Sequence, residues 1–273
     1  MAFTDYQAFL STLTAVMERV HEQFNQLVSE PGDEQQEQDS LFSRCKDAWL
    51  LNVSEHEFCD LLSDTLDESS ALALFEQLRD FKGQLSRHRI GQRGEDTLAK
   101  LMPEMIYYML RQCPTDITLL LPRLISVIGA ITGRTTYLDL LHENPDVLKQ
   151  LIKLCARSAW ITEQIRSFPL LLDELLTPLY LQQQQTSLPV VYDEYSDELR
   201  QKLLRVEPED TELLMEQWRQ FKLCQQLRIA ASDISGSLPI AKVSDKLTVL
   251  AEVLLQAVFK SAWQQLTDKF GVP

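Results

Sequence analysis

Glycine is scarce in this chain. It supplies 8 of 273 residues, about 3% where an average protein carries near 7%. Val-Thr-Tyr alternations of the kind that mark half-buried strands are few, while Leu, Gln and Glu, all good helix formers, abound. The composition predicts an all-α protein, a multi-helix bundle. Positive charge is also in deficit: 26 Lys and Arg stand against 40 Asp and Glu, for a net charge of −14. A nucleic-acid surface has to neutralise phosphates with Lys and Arg, so this balance argues for a protein partner and no nucleic acid. Long apolar runs are missing too. The most apolar stretch, residues 117–132, is interrupted by Pro122-Arg123 and is too short to span a bilayer. With no signal-peptide pattern at the N-terminus, the expectation is a soluble, cytoplasmic chain without a membrane anchor.

Reactive motifs are missing as well. The sequence has no DDxxD-type aspartate cluster, no P-loop, no H-E-x-x-H and no G-x-S-x-G. Five cysteines, Cys45, Cys59, Cys113, Cys155 and Cys224, are odd in number and scattered. Most sit in apolar helical stretches, which predicts buried free thiols in a reducing compartment.

What is present is helical periodicity, 45% of residues being hydrophobic. Phe3, Tyr6, Leu10, Leu13, Met17, Val20, Phe24 and Leu27 recur at steps of three and four, predicting an amphipathic helix over residues 4–28. The segment 29–40, with five acidic residues and no basic one, reads as a linker. Helices are expected at 41–51, 55–66 (with Ser54 and Glu57 as a capping box), 70–89, 95–112 and 116–131.

Residues 129–178 organise the rest as short helices with marked stops. Asn144 caps a helix that opens on Pro145, Ser158 caps the next, and Pro169 and Pro178 punctuate a leucine-rich close. A polar loop follows at 182–189, then helices at 194–205, 209–232 and 244–270, with a turn from Asp233 to Pro239. Trp160, Trp218 and Trp263 fall at core-like spacing and are assigned to packing.

Candidate sites are few. His56 and Cys59 lie one helical turn apart, but a metal needs three or four ligands and no second pair is near, so they read as a surface histidine beside a core cysteine. Gly91-Gln92-Arg93-Gly94 opens a helix, with Arg89 before it. Backbone N–H groups and the two arginines could hold an anion there, but a lone G-x-x-G is a weak signal and the favoured reading is a glycine stop followed by a tight turn, with the arginines solvated. Arg134 and Tyr137, and Arg228 and Asp233, suit buried polar pairing that fixes helix packing. Asp173-Glu174 reads as a solvated acidic pair.

The wording GRTTYLDLL…NPDVLKQLIKLCARSAWITEQIRSFPLLLDELL, continuing through DELRQKLLRV and QFKLCQQLRIAASDISGSLPIAKVSDKLTVLAEVLL, resembles the central region of the bacterial bifunctional glutamine synthetase adenylyltransferase/adenylyl-removing enzymes. The resemblance covers most of residues 80–273. It implies a parent that moves AMP from ATP to a tyrosine of glutamine synthetase and removes it by phosphorolysis, under control of PII signalling protein and glutamine. Each half of such an enzyme uses a Glu and a paired S-D-x-D holding Mg²⁺ on the nucleotide. No such motif occurs in residues 1–273, so neither catalytic nor metal-ligating residues nor a cofactor is assigned here, and ATP and Mg²⁺ belong to the parent.

The resemblance places 1–28 as the end of a preceding adenylyl-removing domain, 29–40 as the junction, and 41–273 as the helical start of the transferase half. It implies a fragment, inactive alone, that links and positions the catalytic halves. Arg134, Tyr137, Asp173, Arg228 and Asp233 lie in family-like wording and are expected to be structural. The competing reading is a free-standing helical scaffold or regulatory module for a protein partner. The helix at 244–270 separates further possibilities, because its apolar residues nearly encircle it: either the chain's own helices enclose it, or one side docks the catalytic domain absent from this sequence.

Overall fold

The computed structural model describes residues 33–51, 53–87, 90–182 and 187–272. Among them are eleven α-helices and two 3-10 turns, with no strand. The helices are α1 (Asp33–Leu50), α2 (Glu55–Leu62), α3 (Glu68–Leu85), α4 (Gln92–Gln112), α5 (Ile117–Ile131), α6 (Thr135–Glu143), α7 (Pro145–Arg157) and α8 (Ala159–Ser167). The 3-10 turns Pro169–Leu175 and Leu179–Leu181 follow, then α9 (Leu188–Leu203), α10 (Thr211–Ser235) and α11 (Ile240–Phe270). The all-α expectation holds.

Local signals placed several helix starts. Ser54 and Glu57 form the capping box at α2, and the Ser158 hydroxyl accepts from the Ile161 N–H at 3.2 Å to start α8. Asn144 stands at the expected junction but acts differently. Its amide donates to the Leu140 carbonyl at 2.8 Å, closing the end of α6, while Pro145 opens α7 without needing a donor.

Several boundaries differ from expectation by a turn or more, and three of them have a clear physical reason. Asp33 to Ser40, read as linker, is already helical in α1. Glu and Gln are strong helix formers, and acids near an N-terminus favour the helix dipole, so polarity alone did not exclude a helix. The expected helix at 4–28 and the start of the linker lie outside the described residues. The loop at 182–189 ends earlier than expected because Pro189 sits in the first turn of α9, where proline is tolerated. Asp233 to Ser235 continue α10; the turn begins at Gly236, whose φ of 77° is the left-handed position that ends the helix.

Two hydrophobic cores result. The first gathers α1 to α8, the 3-10 turns and one face of α10, with Leu101, Met105, Leu124, Ile128 and Leu148 fully enclosed. The second joins α9, α10 and α11 through Val191, Leu199, Phe221, Ile229 and Val253. α10 therefore belongs to both. Cys224, Leu227 and Ala231 face the first core, while Phe221 and Ile229 face the second.

Trp218 packs against this second core, as expected. Trp160 and Trp263 do not: each leaves nearly half its surface in solvent. Spacing marks a helix face, and in these two cases the other described elements leave it half open.

Candidate functional site

Arg228 occupies the strip of α10 between its two apolar faces. Its Nε donates to Glu174 Oε2 at 2.6 Å and its Nη1 to Glu198 Oε2 at 2.9 Å. Glu174 comes from the first 3-10 turn and Glu198 from α9, so one guanidinium ties elements of both cores to the shared helix. Gln225, one turn earlier, adds a 2.6 Å bond to the same Glu198 oxygen. All three charged side chains are largely enclosed, exposed by 21% (Arg228), 15% (Glu174) and 30% (Glu198). Burial pushes the neighbouring Cys224 thiol up to about 12, with Glu174 adding to the shift.

Glu174 is thus not the solvated acid expected of it. Asp233, grouped with Arg228 by sequence, is half-buried at the end of α10, and its carbonyl accepts from Gly236 N–H at 3.0 Å.

The other family-worded residues gather nearby. Arg134 caps α6 and is exposed; Tyr137 is half-buried one turn on. Burial raises the Tyr137 phenol, Asp173 raises it further, and Arg134 pulls it down, which sets the three within electrostatic reach of one another. Asp173 is itself raised, by burial and then by the adjacent Glu174.

At the G-x-x-G opening of α4, the Arg93 guanidinium meets Asp139 of α6 at 2.6 Å, and Thr97 donates to the same carboxylate at 2.8 Å. Gly94 lets the segment before α4 lie close to the helix: a Cβ there would lie 2.9 Å from Ile90 Cγ2. Gly91 is the N-cap residue, and Arg89 lies outside the described residues. In this arrangement Arg93 serves the packing of α4 on α6. His56 is exposed and bonds Asp60 at 3.0 Å rather than Cys59. Among the described residues no cluster of three or more His, Cys, Asp or Glu is arranged to hold a metal ion.

A groove of ≈ 980 Å³ runs between α9, the start of α10 and the second half of α11. Leu199, Leu203 and Trp218 form its floor, and Gln256, Lys260 and Gln264 its α11 wall. Lys246, near the start of α11, is buried; that burial lowers its pKa while Glu194 on α9 raises it.

Sequence reasoning missed Glu198 and Lys246, and no local pattern marks them, since their partners lie tens of residues away. It missed Glu174's role for the same reason.

The model of the family described as glutamate-ammonia ligase adenylyltransferase matches residues 148–273. That match spans the Arg228 clamp, the groove and α11. The whole chain is also 55% identical, over 273 residues, to the bifunctional glutamine synthetase adenylyltransferase/adenylyl-removing enzyme of Alteromonas mediterranea. Just under half of the chain, residues 148–273, thus matches the glutamine synthetase adenylyltransferase family. The whole chain covers 28% of that relative's length. The family match also begins inside α7, so the Arg93–Asp139 pair on α4 and α6 lies before it, while the relative extends over both. No helix among the described residues is long and apolar enough to cross a membrane.

Proposed function

We propose that this chain is the helical region of a glutamine synthetase adenylyltransferase/adenylyl-removing enzyme that links and positions its catalytic parts, and that it performs no adenylyl transfer itself. The observation supporting this is the combination of 55% identity along the whole chain with a 28% share of the relative's length. Within that share, no paired-aspartate motif occurs in the sequence. Nucleotidyl transfer needs metal-held carboxylates to neutralise the pyrophosphate leaving group, so the chemistry with ATP and Mg²⁺ is assigned to other parts of the polypeptide.

On this reading glutamine synthetase is the substrate of the whole cytoplasmic enzyme. PII protein is a signal received by the helical scaffold or its neighbours, and α11 seats a catalytic unit. Rigid packing is what such a role demands, because reacting groups misplaced by an ångström lose large factors in rate. The Arg228 clamp suits that demand.

The test is direct. The chain is incubated with glutamine synthetase, labelled ATP and Mg²⁺, beside the complete Alteromonas relative as a positive control. We expect label on the synthetase with the relative only. Label transferred by this chain alone would overturn the proposal.

A further inference from the structure

The apolar side of α11 changes over along its length. At about 100° per residue, Lys246, Val249, Leu250 and Val253 share one face, and all four are buried. Followed toward the C-terminus, that same face becomes polar, with Gln256, Lys260, Gln264 and Asp268 lining the groove. The large apolar side chains of the second half sit on the opposite, outer side. They are Leu255, Phe259, Trp263, Leu266 and Phe270, exposed by 70, 68, 48, 55 and 73%.

Their steps of four, four, three and four keep them within about a quarter of the helix circumference, along roughly 22 Å. Phe259 and Trp263 stack, with ring centroids 6.3 Å apart and planes 25° from parallel. No charged residue falls within the stripe.

A helix face made for water carries polar residues. This one is inverted, apolar outside and polar toward its own protein. Five such side chains at these exposures present roughly 500–600 Å² of apolar surface, the upper end of what monomers leave uncovered. That is also most of the ~800 Å² that each side brings to a standard protein interface. Aromatic anchors without charge are the usual make-up of an interface core.

We propose that the outer stripe of α11, Leu255 to Phe270, is the seat on which a folded catalytic unit of the same polypeptide docks. This rests on the functional reading above and names its contact surface. The area suits a folded protein surface rather than a small molecule. The choice of occupant follows from tethering. Nearly three quarters of the Alteromonas relative's length lies outside the matched region, and a tethered unit faces the stripe at an effective concentration near millimolar. A second copy at micromolar concentration competes poorly with that. The buried first half of α11, through Val249, Leu250 and Val253, anchors the helix from which the stripe extends.

The experiment pairs two proteins. In this chain Phe259 and Leu266 are both changed to Glu; in the complete relative the residues aligned with them are changed likewise. For this chain alone we expect hydrophobic-dye fluorescence that the double variant abolishes, with the urea midpoint unchanged. For the complete relative we expect the variant to gain maximum dimension in X-ray scattering and to transfer AMP at least about tenfold more slowly. A variant relative that stays as compact and as active as the parent overturns the proposal. A dimer of this chain that Phe259→Glu and Leu266→Glu together dissociate would also overturn it, by making a second copy the occupant. A parent relative that transfers no AMP would sink the functional reading instead, and scattering would still judge the seat.

Discussion

Arg228 and Glu174, 54 residues apart in sequence, meet at 2.6 Å. The contact joins the helix shared by both cores to the turn that closes the leucine-rich stretch. Removing the cation would leave two carboxylates enclosed without a counter-charge. Arg228→Met is expected to lower stability by about 2–3 kcal/mol, somewhat less than for a fully buried pair because part of the cluster meets water. Arg228→Lys keeps the charge but loses the fork that reaches two partners, and should cost about 1 kcal/mol. Urea denaturation of the three proteins checks the order.

Two of the helical glycines, Gly83 and Gly94, should respond in opposite directions to alanine. Nothing lies within 4 Å of a Cβ built at Gly83, so Gly83→Ala should stabilise by about 0.5–1 kcal/mol through helix propensity and a less disordered unfolded chain. At Gly94 the new methyl would lie 2.9 Å from the branched Ile90 side chain, which is stiff about χ1. There the overpacking wins, and Gly94→Ala should destabilise by about 1 kcal/mol. Melting temperatures of both variants measured side by side would expose an error in either sign.

Acid should weaken the α4–α6 contact through Asp139. The Thr97 hydrogen bond, followed by Arg93, holds this carboxyl below its ordinary value, against the opposing effect of burial. A depressed folded pKa stabilises the fold at pH values above the unfolded value near 3.9, and that contribution disappears as pH falls through the folded pKa. The urea midpoint of the parent should therefore fall more steeply below about pH 4 than that of Asp139→Asn. Parallel slopes would show that the pair carries no linkage.

Thiol chemistry should sort the cysteines by their surroundings. Burial pushes Cys45 up to about 12 and Cys155 up to about 11, and Cys224 is enclosed as well. Thiolate is the reactive form, so these three should resist a disulfide reagent at pH 8 while the half-buried Cys59 and Cys113 react. Two fast equivalents in the native protein and five in denaturant are expected. A third fast equivalent would place one of the buried thiols at the surface.

Much of the helical order was legible because its signals are local. The Ser54–Glu57 box and the Ser158 cap span three residues each and need nothing from the rest of the fold. The acidic start of α1 was less legible, because its charge and nearby turn residues point to a linker while its Glu and Gln favour a helix. The Arg228 clamp could be sensed only as an arginine in a helix: its partners Glu174 and Glu198 arrive from 54 and 30 residues away. At α11 the near-encircling apolar pattern was visible in advance. Which half would be covered was not, since that depends on where α9 ends beside it.

A helix that belongs to two cores also sets how the protein comes apart. Peeling α9 and α11 away strips the flank of α10 that carries Phe221 and Ile229. Opening the first core removes the support behind Cys224, Leu227 and Ala231 on the opposite flank. Neither half can loosen without exposing the helix that holds up the other. The two cores should therefore unfold together in one cooperative transition, with the amides of α10 among the last to exchange their hydrogens.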